Sequence, residues 1–380
     1  SELPDGGDGI NKFLSSILFT LKDLVTRNIS VGCSDPMTME LGFYLKETNG
    51  SYKLVFSDGA IVFEELRFLI NERSLPMYTL DRDSAYLSQS VFIDTKYRAE
   101  LMDSIQKYWG KHTFLSILFN DLVSKNTSYV LDKLNSNLIF FIGWLQNISI
   151  MTNEKLINPW MAAPSYNFMD NMDSGYIEAL NLSKLRILED ALSSFFSSIY
   201  SDVKQVYYNI QSEGNRLKYQ LVFKKQIEGQ LVEIPFYLES TGTDKLLRIF
   251  PYLMRAISGQ TVLIDELDSG MHDLLVCEIV DYMIEAMEEN KNGQLIITTH
   301  NTQLMKNING ENVYILSIDA NGYKEISCIN DYNFRTQKTN SIQSKYLNGD
   351  YAGIPYVGYV DFSELGERVS DLLEEEEIYS

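Results

Sequence analysis

Between Asn11 and Thr26 the apolar residues Phe13, Leu14, Ile17, Leu18, Leu21, Leu24 and Val25 recur at three- and four-residue intervals. That spacing predicts an amphipathic helix of about four turns. From residue 39 to 80 the pattern becomes strand-like. The runs 41–45, 52–56 and 61–66, separated by Asn49-Gly50 and Asp58-Gly59, predict an antiparallel meander, because such dipeptides accept the positive φ of tight hairpin turns. From about 96 to 210 the periodicity is helical, with capped segments around 98–109, 113–134 and 182–208. Next, 217–223 and 232–238 flank Glu228-Gly229 as a hairpin, and a helix over 243–257 leads to an apolar strand at 261–264. A helix over 272–289 and a second buried strand at 294–299 complete a strand–helix–strand order. Such an order implies a parallel βαβ unit with both strand ends at one sheet edge.

Composition narrows the class. With 380 residues, 45% of them hydrophobic, the chain can bury one large core or two modest ones. Its longest apolar run, 138–145, is too short to span a bilayer, and no basic stretch followed by an apolar one opens the sequence. A soluble, cytosolic protein is expected, with no membrane partner. Cys33, Cys277 and Cys328 are odd in number, far apart and in no metal-binding spacing. They are expected to be ordinary buried thiols in a reducing compartment. The formal net charge of −20 opposes attraction to nucleic acid or anionic membrane, although a local basic patch is compatible with it.

The candidate chemistry lies at the end of the 261–264 strand. Four apolar residues followed by Asp265 and Glu266 describe a buried parallel strand that delivers two carboxylates to its C-terminal edge, where open α/β sheets hold ligands. One carboxylate can join the shell of a Mg²⁺ ion and the other can polarise an attacking water, as phosphoryl transfer requires. Ser240-Thr241-Gly242 precedes this strand and Thr298-Thr299-His300 follows the next one. Each motif alone has a plainer reading: two acids after a strand are common, Ser-Thr-Gly is a good helix cap, and a histidine after a buried strand is more often a hydrogen-bonded core residue. All three in order within about 60 residues are hard to obtain by accident.

In these motifs the chain resembles the ABC-type ATPase heads of the SMC/RecF/OLD class, and within it the bacterial AAA-family ATP-binding proteins linked to abortive infection and phage defence. The residues that carry the resemblance are the signature-like Glu239-Ser240-Thr241-Gly242-Thr243-Asp244-Lys245-Leu246-Leu247, the Walker B strand ending in Asp265-Glu266, Leu267-Asp268-Ser269-Gly270-Met271-His272, and Thr298-Thr299-His300-Asn301. Lys345-Tyr346-Leu347-Asn348-Gly349-Asp350-Tyr351-Ala352-Gly353-Ile354-Pro355 is similar to the C-terminal ending of the abortive-infection branch. The resemblance implies an α/β, ABC-ATPase-like head with a mixed and parallel sheet, an N-terminal antiparallel meander and a helical insertion. It also implies ATP and Mg²⁺ as ligands. Asp265 would meet the metal, Glu266 would orient water and His300 would contact the γ-phosphate. Ser240, Thr241 and Gly242 would close the site of a second protomer, with Asp268 coupling the two sites.

One part of the pattern is missing. A phosphate loop needs Gly-x-x-x-x-Gly-Lys-Ser/Thr; the nearest stretch is 5–11, where Gly9 would take the second glycine, Ile10 the lysine position and Asn11 the hydroxyl position. The coexistence of Glu266 and His300 favours an incomplete N-terminal sequence over a degenerate site. The expected division is an N-terminal ATPase lobe (1–95), a helical insertion (96–210), a lobe with signature, Walker B and switch histidine (211–331), and a C-terminal extension with an acidic tail (332–380). The first functional expectation is an ATP-driven dimerisation switch that controls a partner effector on a separate chain. A non-hydrolysing scaffold and a DNA-repair ATPase are the alternatives; an intact phosphate loop separates the first from the second, and a basic surface stripe would favour the third. Carboxylates elsewhere, such as Glu64, Glu65, Asp81 and Asp83, read as solvated, as do Glu374 to Glu377 after a helical stretch at 362–373.

Overall fold

The computed structural model describes residues 21–378, apart from 30–31, 71, 126, 153–167, 290–292, 320, 333–340 and 355–357. The chain divides into two units, Ser1–His300 and Asn301–Ser380. In the first, helix α1 (Leu21–Asn28) covers the end of the predicted N-terminal helix, whose residues 11–20 lie outside the described ones. A five-stranded antiparallel meander follows in sequence order: β1 (Met37–Leu45), β2 (Thr48–Ser57), β3 (Ala60–Ile70), β4 (Arg73–Asp81) and β5 (Ala85–Leu87).

The β2–β3 turn falls at Asp58-Gly59 as expected, with φ of 53° and 74°. The β1–β2 turn does not fall at Asn49-Gly50. It is formed by Lys46-Glu47, with φ of 45° and 64°, and Gly50 instead pairs with Phe43 inside the ladder. A Cβ on Gly50 would lie 2.2 Å from the Phe43 ring, so this glycine makes room for an aromatic ring crossing the strand. That ring packs on Phe68 and Phe141, and its burial outweighs the local turn preference of Asn-Gly.

Helices α2 (Thr95–Tyr108), α3 (Phe114–Ser124), α4 (Thr127–Leu131) and α5 (Ser136–Gln146) share one core with the meander, joining Leu54, Leu66 and Tyr78 to Leu101, Phe114, Leu118 and Phe141. The side chains of Asp94, Thr113 and Asn135 cap α2, α3 and α5. Glu64, expected in solvent, is fully buried in this core. Ile61 pairs with Phe56 and Phe63 with Val55, which leaves Val62 as an extra residue. This bulge shifts the strand's phase, so Glu64 faces inward with Leu66 and Phe68. Its Oε1 accepts from the Tyr52 and Tyr78 hydroxyls, and its Oε2 from Trp109 Nε1 and the Phe114 amide, at 2.7–3.0 Å.

The rest of this unit runs β6 (Ser149–Met151), β7 (Ser174–Ile177), α6 (Leu182–Ile199), β8 (Val203–Glu213), β9 (Arg216–Ile227), β10 (Gln230–Pro235), α7 (Thr241–Ile257), β11 (Thr261–Ile264), α8 (Asp273–Glu289) and β12 (Gln294–Ile297). The helical reading of 182–208 therefore ends at Ile199. Residues 203–213 form a strand because Val203, Val206 and Tyr208 bury one face while the strand's edge pairs with β9, and Tyr and Val favour extended backbone. Strand β9 also pairs antiparallel with β7 and β10, and the β9–β10 turn is Glu228-Gly229 as predicted. Strands β12, β11 and β6 form a parallel sheet in that order, which makes the fold mixed α/β. Strand β12 is less buried than expected: Gln294 and Ile296 are exposed, as suits the outer strand of this sheet.

The second unit contains the hairpin β13 (Tyr314–Ile318) and β14 (Lys324–Cys328), then α9 (Ile342–Leu347) and α10 (Phe362–Ile378). Its core is Ile315, Ile329 and Tyr351, with Tyr346 packed against it. The 345–355 motif thus has a structural role: the Tyr346 hydroxyl donates to the Gly353 carbonyl, and a Cβ on Gly353 would lie 2.6 Å from Ile315. Pro355 lies outside the described residues. The α10 backbone continues through Glu374–Glu377, beyond the helical stretch expected at 362–373. Among the described residues no cysteine forms a disulfide; Cys33 is exposed and Cys277 and Cys328 are half-buried, so none is the fully buried thiol the sequence suggested. No helix among the described residues is long and apolar enough to cross a membrane.

Candidate functional site

Val262 and Ile264 bury β11, and the ladder runs one residue further on each side: the Asp265 amide donates to the Met151 carbonyl, and the Thr298 amide to that of Ile264. The two carboxylates therefore stand just beyond the strand, at the edge where the sheet ends. Glu266 has φ of +48°, in the left-handed region, which costs a residue with a Cβ about 1–3 kcal/mol unless its surroundings enforce it. Here they do. The Glu266 amide donates to Thr298 Oγ1 at 2.8 Å, and its carbonyl accepts from the Ser269 amide at 3.1 Å and Lys245 Nζ at 3.2 Å. The Thr298 hydroxyl in turn donates to Asp265 Oδ1 at 2.6 Å, so one side chain holds both acids in place. Beyond the turn, Leu267 is buried, and Asp268 Oδ2 accepts from the His300 amide at 3.1 Å. Asp268 Oδ1 is buried with no hydrogen-bond partner among the described residues.

The helix α7 starts beside this turn. Ser240 is its N-cap, with Oγ accepting from the Thr243 amide at 3.2 Å. The cap reading of Ser240-Thr241-Gly242 is thus correct as local structure, and it leaves open what the exposed Ser240 and Thr241 meet. Ser240→Ala should cost about 1 kcal/mol in a denaturant titration, the ordinary value of such a cap; no loss would mean the hydroxyl does not support the helix. A Cβ on Gly242 would lie 3.0 Å from the Gly270 carbonyl oxygen, so the first turn of α7 approaches the loop after Glu266 closely. Behind the cap, Lys225 and the buried Glu239 carboxylate pair at 2.7 Å. On α7 itself Lys245 is buried, and desolvation holds its ammonium below the usual lysine range against the opposing pull of Glu266, Asp265 and Asp268.

Of the residues singled out in the sequence, Asp265, Glu266, Asp268 and His300 share one sheet edge, and Gly242 reaches the same loop through Gly270. Gly9 and Asn11 lie outside the described residues. Two participants were missed. Thr298 was visible in principle, since the Ile264–Ile297 pairing of a parallel βαβ unit sets Thr298 level with Asp265. Lys245 had a weaker signal, a lysine three residues after Gly242 and four before the buried Ile249, on a stripe that is otherwise apolar. Among the described residues no group of three or more His, Cys, Asp or Glu is placed to hold an ion. A single carboxylate such as Asp265 fits Mg²⁺, which keeps several waters and relies on one or two carboxylates with substrate phosphates.

A family model described as "AAA domain, putative AbiEii toxin, Type IV TA system" matches residues 154–306. No curated protein matches the chain. Among solved structures, the Smc head domain with an extended coiled coil bound to the C-terminal domain of ScpA, from Pyrococcus furiosus, matches at 12% identity and a TM-score of 0.31, over 74% of this chain and 76% of that one. The family match contains Ser240, the Asp265-Glu266 turn, Thr298 and His300, so residues 154–306 are similar to the AAA domains of that family.

Proposed function

We propose that this domain binds ATP with Mg²⁺, hydrolyses it, and works as a nucleotide-driven dimerisation switch. The observation that carries the reading is the Asp265-Glu266 pair, presented beyond a parallel strand and held by Thr298, next to a serine-capped helix start. Asp265 would ligate the metal, which when bound neutralises phosphate charge. Glu266 takes a proton from the attacking water, and its place in a left-handed turn just beyond the strand keeps it at the sheet edge. His300 follows β12 at the same edge and contacts the terminal phosphate. The first turn of α7 offers amides and a helix dipole to the phosphates of a second copy's nucleotide. As output we infer control of an effector on a separate chain; the toxin–antitoxin wording of the family description supports a two-component context and no more than that. The net charge of −20 weighs against a nucleic-acid clamp.

Dimerisation is tested at Thr241. Gly242→Arg is a poor probe, since any side chain there presses on the Gly270 carbonyl of the same chain. Thr241 is exposed at the first position of α7, so Thr241→Arg blocks a second copy and leaves the chain's own turn alone. Sedimentation should show wild-type dimers with ATP and monomers without, and Thr241→Arg monomers that still bind ATP. A wild-type assembly state indifferent to ATP would sink the switch.

A further inference from the structure

We propose that Lys245 is a positioning residue: by donating to the Glu266 carbonyl it ties the left-handed turn bearing Asp265 and Glu266 to the helix that starts at Ser240, and so couples the helix start to the aim of the carboxylates. The catalytic half of this rests on the ATPase reading above; the geometric half does not.

The cation is costly where it stands. Lys245 lies between Thr243 and Leu246 in the most buried part of α7 and is 8% exposed. A buried ammonium requires compensation, and an apolar side chain of similar volume commonly serves packing as well or better. Its hydrogen bond goes to no carboxylate but to a backbone carbonyl, that of the one residue in this turn with a Cβ and a positive φ. Left to itself, a residue at φ of +48° relaxes toward the right-handed region. Such a relaxation would rotate the Glu266 peptide, move its amide off Thr298 and release the Thr298 hydroxyl from Asp265. Three hydrogen bonds prevent this: Thr298 Oγ1 accepts from the amide, while the Ser269 amide and Lys245 Nζ donate to the carbonyl.

Of these, only Lys245 comes from α7. The helix therefore grips the turn at two points, through Lys245 at Glu266 and through the close approach of Gly242 to Gly270. Lys245 lies five residues after Ser240, about 7.5 Å along the helix axis at 1.5 Å per residue. A ligand or second copy that shifts the helix start thereby shifts the Glu266 carbonyl in the same chain. In a two-site dimer this is a direct mechanical link from a neighbour's nucleotide to the chain's own hydrolytic carboxylate.

Lys245→Met keeps length and removes the donor. Its crystal structure should show Glu266 out of the left-handed region and the Thr298–Asp265 hydrogen bond lost. ATP turnover should fall roughly 10- to 100-fold in kcat with KM little changed, the scale of a misplaced catalytic group, and Lys245→Arg should restore most of it. A Lys245→Met structure with Glu266 still at positive φ overturns the proposal whatever its turnover. A thermal double-mutant cycle supplies a second, activity-independent reading. Glu266→Gly adopts the left-handed turn without strain, so Lys245→Met should lower Tm less in that background than in wild type; additive shifts overturn the proposal. Should Lys245→Met not fold, Lys245→Leu, which also lacks a donor, replaces it in both arms. A wild-type protein that does not turn ATP over would sink the ATPase reading alone, with the structure and the cycle still deciding Lys245.

Discussion

Glu266→Gln should hydrolyse ATP at least about 10²-fold more slowly than wild type while binding it as well, the scale of losing a general base. The substitution is conservative where it must be. Glutamine has the same length, and the contacts that hold the turn use the Glu266 amide and carbonyl, which the exchange does not touch. Only the proton acceptor is removed. If hydrolysis releases the paired heads, ATP should then trap the variant as a dimer that persists after wild type has returned to monomers. Phosphate release and size-exclusion chromatography read the two effects separately. Wild-type turnover in Glu266→Gln would remove this residue from the mechanism and leave Asp265 and His300 without a base.

Glu64→Leu should destabilise the meander and its helices by roughly 3 kcal/mol or more, because a buried donor left without its acceptor costs about 1–3 kcal/mol. Four donors, from Tyr52, Tyr78, Trp109 and Phe114, would face an apolar side chain, and the start of α3 would lose its link to β3. Urea unfolding followed by tryptophan fluorescence reports this directly, since Trp109 is one of the donors. Glu64→Gln should fall between, because its amide nitrogen meets donors on one side. A pH dependence accompanies it. Burial raises the Glu64 carboxyl above the usual value of 4.5, against the four hydrogen bonds that lower it. For an acid raised on folding, the stability it contributes is complete below the unfolded value and is lost as pH rises through the folded one. Wild-type stability should therefore decline from about pH 4.5 upward through that range, and Glu64→Gln should flatten the decline. A variant as stable as wild type would mean that the network contributes nothing net.

Much of the site's framework is local and was legible in the sequence. The helices at 241–257 and 273–289, the acid-ended strand at 261–264 and the hairpin turns at Asp58-Gly59 and Glu228-Gly229 follow from periodicity, capping and turn chemistry within a few residues. The tertiary structure decided what depends on register between distant segments. Asn49-Gly50 lost its turn because Phe43 needed space across the strand, and Glu64 turned inward because one extra residue in β3 shifted the phase of the pleat. Residues 203–213 became a strand only because β9 offered a partner edge. At the site the sequence placed Asp265 and Glu266, but Thr298 and Lys245, 32 residues later and 21 earlier than Glu266, set their orientation. A side chain's identity and period are written locally, whereas a left-handed turn persists only where donors from separate elements converge on it, and that convergence exists only in the folded chain.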